Sequence, residues 1–189
     1  MKLYFSAPRA YREKFGVNYE NIMKVLVKSE YKVTDNGRLK SPSGAYSSLS
    51  KNDRLGLYRT MLKNIEKADI CVFEASFPST LHIGHEITVA LEKGKPVIVL
   101  HTADHEPILF TGIQNNKVIW IEYDESNLMP KLTEALEQAR KIIDVRFNFF
   151  VSPRILSYLD WVAKKRMIPR SVFLRDLIEK EMKKDKDYT

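Results

Sequence analysis

The stretch ADICVFEASFPSTLHIGHEITVALEKGKP, residues 68–96, decides the fold. Residues 70–73 (ICVF) form a short apolar, partly β-branched run suited to a buried strand, and Pro78, Ser79 and Thr80 follow as a loop ending in hydroxyls able to cap a helix. A helix is predicted over 81–92. Gly94, Lys95 and Pro96 stop it, and 97–100 (VIVL) starts another buried strand, so the unit is strand, loop, helix, strand with a parallel crossover. Such a unit presents ligand groups at one place, the loop at the strand's carboxyl end and the first turns of the helix, where unpaired N–H groups and the helix dipole favour an anion. Gly84 and Glu86 fall there. Gly84 lets a ligand approach backbone, and Glu86 beside it is a candidate nucleophile or general base. The same two residues also suit plain helix packing and a solvated helix position.

Working outward, residues 2–5 are predicted as a first strand and Ser6, Ala7, Pro8 and Arg9 as the turn at its carboxyl end. Ser6, Arg9 and Arg12 are placed to meet a phosphate or a sugar hydroxyl, or to form a solvated basic loop. An amphipathic helix is predicted over 18–29, with Ile22, Val25 and Leu26 inward, and a short strand over 31–34. Residues 35–52 (DNGRLKSPSGAYSSLSKN) have loop chemistry at the length of a lid or binding loop. Residues 54–67 repeat Leu55, Tyr58, Met61, Leu62 and Ile65 at helical spacing. Beyond the central unit, 101–114 reads as a loop with a short helix, 118–122 as a fifth strand and 126–143 as a helix. The sum is an α/β, flavodoxin-like five-stranded parallel sheet sandwiched by helices.

Composition bounds the function classes. The chain has 189 residues, 44% hydrophobic and 29% charged, which excludes wholesale disorder. No apolar run reaches membrane-spanning length, and MKLYFSAP enters a strand without a signal-peptide core, so a cytoplasmic protein is expected. The one cysteine, Cys71, lies in an apolar strand and reads as a small core residue. His82 with His85, and His101 with His105, are each spaced to share a helical turn, but without a Cys/His cluster no metal is expected. No cofactor is expected either. Of the net charge of +7, the last 46 residues carry a surplus of four, 11 Lys/Arg against 7 Asp/Glu.

The run AD-I-C-V-F-E, PS, IGHE, A, GKPVIVL resembles the nucleoside 2-deoxyribosyltransferase family, and within it most resembles the 2'-deoxynucleoside 5'-phosphate N-hydrolases. The likeness covers most of residues 1–143, including the first strand with its loop and the later VIWIEYD strand. It implies that Glu86 attacks the anomeric carbon of deoxyribose and releases the base. It also implies that Ser6, Arg9, Tyr58, Ser79, His82 and Gly84 surround the substrate, that Tyr46 is a stacking group, and that no cofactor is needed. One position departs from the family. Where members carry an aspartate eight residues before the strand's own aspartate, this chain has Met61, although Tyr58 fits the family's Y..D spacing. Methionine handles no proton, so the resemblance implies slow turnover of a bound nucleotide-like ligand.

A second module is predicted from residue 144. Residues 145–151 (VRFNFFV) alternate, putting Phe147, Phe149 and Val151 on one face of a strand and Arg146, Asn148 and Phe150 on the other. Ser152 and Pro153 cap a helix with Ile155, Leu156, Leu159, Val162 and Ala163 inward. Pro169 is predicted at the first position of a last helix carrying Phe173, Leu174, Leu177, Ile178 and Met182. So short a unit cannot bury this much apolar surface alone and is expected to dimerise. The pattern resembles the ribbon-helix-helix DNA-binding fold over 144–184. That resemblance implies Arg146 and Asn148 against base edges and Arg170 and Ser171 on the DNA backbone, in a homodimer or dimer of dimers; Phe150 departs from it, standing where the family has a polar residue and able to press on a thymine methyl, and the same pattern also suits a dimerisation module with no DNA role.

Two functions follow. One is a nucleotide-responsive DNA-binding regulator, favoured by Met61; the other is an enzyme cleaving or transferring the N-glycosidic bond of 2'-deoxynucleosides or their 5'-monophosphates through Glu86, favoured by Glu86 with Gly84. The regulator is the leading expectation.

Overall fold

The computed structural model describes residues 1–29, 31–35, 49–108, 111–113, 115–143 and 148–186. Two compact units emerge, Met1–Val145 and Arg146–Thr189. In the first, the chain runs β1 (Lys2–Ser6), a 3-10 turn (Arg9–Tyr11), α1 (Arg12–Lys28), β2 (Lys32–Thr34), α2 (Lys51–Lys67), β3 (Ile70–Glu74), α3 (Leu81–Glu92), β4 (Val97–Thr102), β5 (Val118–Tyr123) and α4 (Leu128–Lys141). The five strands are all parallel in the order β2-β1-β3-β4-β5, with Leu3 opposite Ile70 and Cys71 opposite Val97. An all-parallel sheet needs cover on both faces, and alternation along β3 supplies two cores. Ile70 and Val72 join Phe15, Tyr19 and Ile22 of α1 and Leu132 and Leu136 of α4. Cys71 and Phe73 join Met61 and Ile65 of α2 and Ile83 and Ile87 of α3.

Local signals set the ends of the elements that matter. α3 closes with Gly94 at φ 68°, where Gly94 N–H donates to Leu91 O (2.9 Å) and Lys95 N–H to Ala90 O (3.0 Å). That pair of bonds is the Schellman motif, which needs a residue tolerant of the left-handed region at this point. α2 starts at Ser50, whose Oγ accepts from Asp53 N–H (3.2 Å), a cap worth about 1 kcal/mol. The expected hydroxyl cap on α3 is not made. Thr80 occupies the capping position, but its backbone carbonyl takes Ile83 N–H and Gly84 N–H, and its side chain makes no cap. α1 begins at Arg12, six residues before the predicted start at 18. Phe15 and Tyr19, four apart and both buried, extend its inner face beyond Ile22.

The second unit holds α5 (Pro153–Arg166) and α6 (Arg170–Met182). Ser152 caps α5 by accepting from Ile155 N–H (3.4 Å), and the helix stops at Met167, which takes a left-handed φ of 53° in a turn without glycine. Pro169 stands at the cap of α6, one position before the predicted one. A small cluster of Leu159, Val162 and Phe173 joins the two helices. Of the strand predicted over 145–151, the described part, 148–151, is irregular, and 144–147 lie outside the described residues. Alternation alone specifies only faces, and a strand also needs a partner to pair with.

Candidate functional site

In the order β2-β1-β3-β4-β5 the connections reverse direction between β1 and β3, and open α/β sheets bind ligands in the crevice outside the carboxyl ends of the strands flanking such a point. Three segments meet there: Ser6 and the loop after β1, the 75–80 loop after β3, and the start of α3. Glu86, in the second turn of α3, is 1% exposed. Tyr4 O–H donates to Glu86 Oε2 at 2.8 Å, across 82 residues of sequence. Tyr4 lies on the β1 face that packs under α2 and α3, with its ring edge-on to Phe73 at 6.0 Å between centroids. Ser6, two residues on, points to the same face and is also buried. A buried hydrogen bond of this kind fixes one carboxyl oxygen and with it the orientation of the group.

The other predicted residues are placed as follows. Gly84 is buried on α3. Ser79 Oγ is buried with no hydrogen-bond partner among the described residues. His82 is exposed in the first turn of α3, and Arg9 and Arg12 flank the junction of the 3-10 turn and α1. Tyr58 of α2 reaches α3, stacking on His85 at 5.7 Å and 21° between rings, with its hydroxyl 3.2 Å from His85 Nε2. It thus sits against the residue that precedes Glu86. His101 is buried with Nδ1 3.2 Å from Thr102 O. His105 lies between Ala103 O (3.0 Å from Nδ1) and Lys14 Nζ (2.7 Å from Nε2). Burial pushes the Cys71 thiol up to about 12, which leaves an inert core thiol. Tyr46 and Arg146 lie outside the described residues. Asn148 and Phe150 are exposed in irregular chain, Ser171 is exposed in α6, and Arg170 forms an ion pair with Asp160 of α5.

Met61 is 3% exposed, packed with Ile65 and the α3 side chains. Met61→Asp is therefore expected to destabilise the protein by about 3 kcal/mol, because a carboxylate would be buried without a partner. The urea midpoint checks this. An unchanged midpoint would mean that position 61 opens to the crevice.

The sequence reading missed Tyr4, the residue that holds Glu86. A signal existed: a tyrosine in the middle of a fully buried strand must find its hydroxyl a partner.

Fold and site together define an α/β sandwich with a buried, hydrogen-bonded carboxylate, Glu86, beside its topological switch point. No family model matches the chain, and no curated protein matches it. Solved structures do. A CMP N-glycosidase from Clostridium botulinum superposes with a TM-score of 0.52 at 17% identity, covering 71% of this chain and 98% of that one. A 2-deoxyribosyltransferase from Bacillus psychrosaccharolyticus gives 0.52 at 19% identity, covering 68% and 96%. The first unit thus has a nucleoside 2-deoxyribosyltransferase-like fold, the fold expected from the sequence. Identities this low establish fold alone. No described helix is long and apolar enough to cross a membrane.

Proposed function

We propose that the first unit cleaves or transfers the N-glycosidic bond of a nucleoside or nucleoside monophosphate, with Glu86 as the nucleophile. The observation that carries this reading is the carboxylate itself, buried at the start of α3 and fixed through Oε2 by Tyr4. The neighbours named as an N-glycosidase and a deoxyribosyltransferase support the reaction class. A carboxylate oxygen of Glu86 attacks the anomeric carbon, the C–N bond breaks, and the base departs with a proton taken from solvent. A glycosyl-enzyme ester remains. Water, or a second base, then attacks the same carbon and regenerates the carboxylate. Met61 supplies no proton, so leaving-group protonation is not assisted from that position of α2. Incubation with 2'-deoxynucleosides, their 5'-monophosphates and CMP, followed by chromatography of the free base, tests the proposal against a Glu86→Gln control.

The regulator expected from the sequence gains no support. The base-reading strand is not observed over 148–151, and Arg170 is engaged by Asp160. A self-association role for the second unit does follow from one observation. Among its described residues only Leu159, Val162 and Phe173 form a buried core, while Trp161 stays 54% exposed and Ile178 59% exposed. Trp161→Glu is expected to shift the full chain from dimer to monomer in sedimentation at micromolar concentration; a parent that is already monomeric rejects this role.

A further inference from the structure

Glu74 is a second buried acid, and it lies on the other face of the sheet from Glu86. As the last residue of β3 it is 0% exposed, and alternation turns it toward the face where Ile70 and Val72 meet α1 and α4. Its Oε1 accepts from Ser76 Oγ, from Ser76 N–H (3.4 Å) and from Tyr123 O–H (3.3 Å). Tyr123 in turn is hydrogen-bonded by Asn18 of α1. Having given its proton to Glu74, Ser76 Oγ accepts from Thr102 N–H at 3.0 Å. Oε2 has no hydrogen-bond partner among the described residues. A bare oxygen in this setting is tolerable for an uncharged acid and very costly for a carboxylate.

The surrounding bonds show what the group holds. Ala75 N–H donates to Leu100 O (2.8 Å) and Phe77 N–H to His105 O (2.6 Å), so the 75–80 loop is tied to β4 and the turn after it on both sides of Ser76. Ser76 is the middle tie, and Glu74 orients its hydroxyl. This loop delivers Ser79 and the first turn of α3, and Glu86 follows six residues after Thr80.

We propose that Glu74 is a positioning residue for the Glu86 site: by gathering Ser76 and Tyr123 about one oxygen it locks the 75–80 loop and so aims the start of α3. The inference rests on the proposed reading of Glu86. Below about pH 7 the carboxyl does this uncharged. Burial raises it to about 7, against the opposing pull of the Ser76 and Tyr123 hydrogen bonds. The titratable groups facing it are Tyr19 from α1 and Tyr123 from β5, both pushed up by burial first and by Glu74 second, so neither offers a countercharge. β4 contributes the Thr102 hydroxyl, and β1 and α4 contribute Leu3, Phe5, Leu128 and Leu132. Ionisation above neutral pH leaves a charged Oε2 that only entering water can satisfy, which loosens the loop's ties to β4.

Amide exchange over 75–86 tests this in the full chain, with rates corrected for their intrinsic pH dependence. Between pH 6 and pH 8 the parent is expected to open about tenfold more often, Glu74→Gln to show no change, and Ser76→Ala to exchange fast at both values. Base release is expected to lose kcat above pH 7 with little change in KM; both Glu74→Gln and Glu74→Ala are expected to give flat profiles, Gln at the parent's low-pH kcat and Ala well below it. The proposal is overturned if parent and Glu74→Gln exchange alike at both pH values, or if Gln and Ala behave alike. If exchange follows the expected pattern while no protein releases base, the loop lock stands and the reaction assigned to Glu86 falls.

Discussion

Glu86→Gln is expected to lower base release at least about a thousandfold, some 4 kcal/mol of barrier, while leaving the fold intact. The substitution keeps shape and volume, and the amide oxygen still accepts from the Tyr4 hydroxyl, which stands 2.8 Å from Oε2 in the parent. What it removes is the second oxygen's ability to attack carbon and carry the glycosyl ester. Tyr4→Phe complements it. That variant keeps the nucleophile and loses only the bond that fixes it, so a fall of about tenfold to a hundredfold is expected, in line with a hydrogen bond to a charged group. The two variants measured together separate chemistry from orientation. Base release by Glu86→Gln at the parent's rate would remove Glu86 from the reaction altogether.

The second large effect is on stability against pH. Glu74 is raised from 4.5 to about 7 in the folded chain, chiefly by burial. Below about pH 4.5 the group is protonated in both folded and unfolded chains and contributes no slope. As pH rises from there, the unfolded chain gives up the proton while the folded chain keeps it until about pH 7, so stability falls across that window and levels off above it. The shift corresponds to about 3 kcal/mol, or roughly 6–12 °C in the Tm of a unit this size. Glu74→Gln cannot ionise. Relative to the parent it is expected to gain that amount between pH 4 and pH 8, with a fixed offset of about 1 kcal/mol for its unpartnered amide. Thermal melts at the two pH values measure the difference, and parallel curves for parent and variant would show that Glu74 is already ionised in the folded protein.

The fold was legible where side-chain period and punctuation agree. Residues 81–92 form the predicted helix because Gly94 supplies the left-handed stop that the pattern announced. The start of α1 was obscured because Gly16 and the charged residues around it interrupt the apolar period, although Phe15 and Tyr19 are both core residues. The place of Glu86 after a strand, loop and helix start equally suited a solvated helix residue, and the family resemblance singled it out; its burial to 1% exposure was not legible. Tyr4 and Glu74 did not stand out, since each looks like one more residue of an apolar strand; their roles depend on what lies across the sheet, which periodicity does not encode. The alternating run at 145–151 marks the limit from the other side. It describes two faces convincingly, yet pairing is a property of two segments, and one segment's pattern cannot specify it.

The hydrogen bond from Tyr4 to Glu86 joins the first strand to a helix 82 positions later. During synthesis the amino-terminal strand therefore leaves the ribosome long before the carboxyl that its phenol bonds, and nothing translated before the third crossover can complete that pair. A nascent chain halted before that point has the tyrosine and lacks the carboxyl it holds.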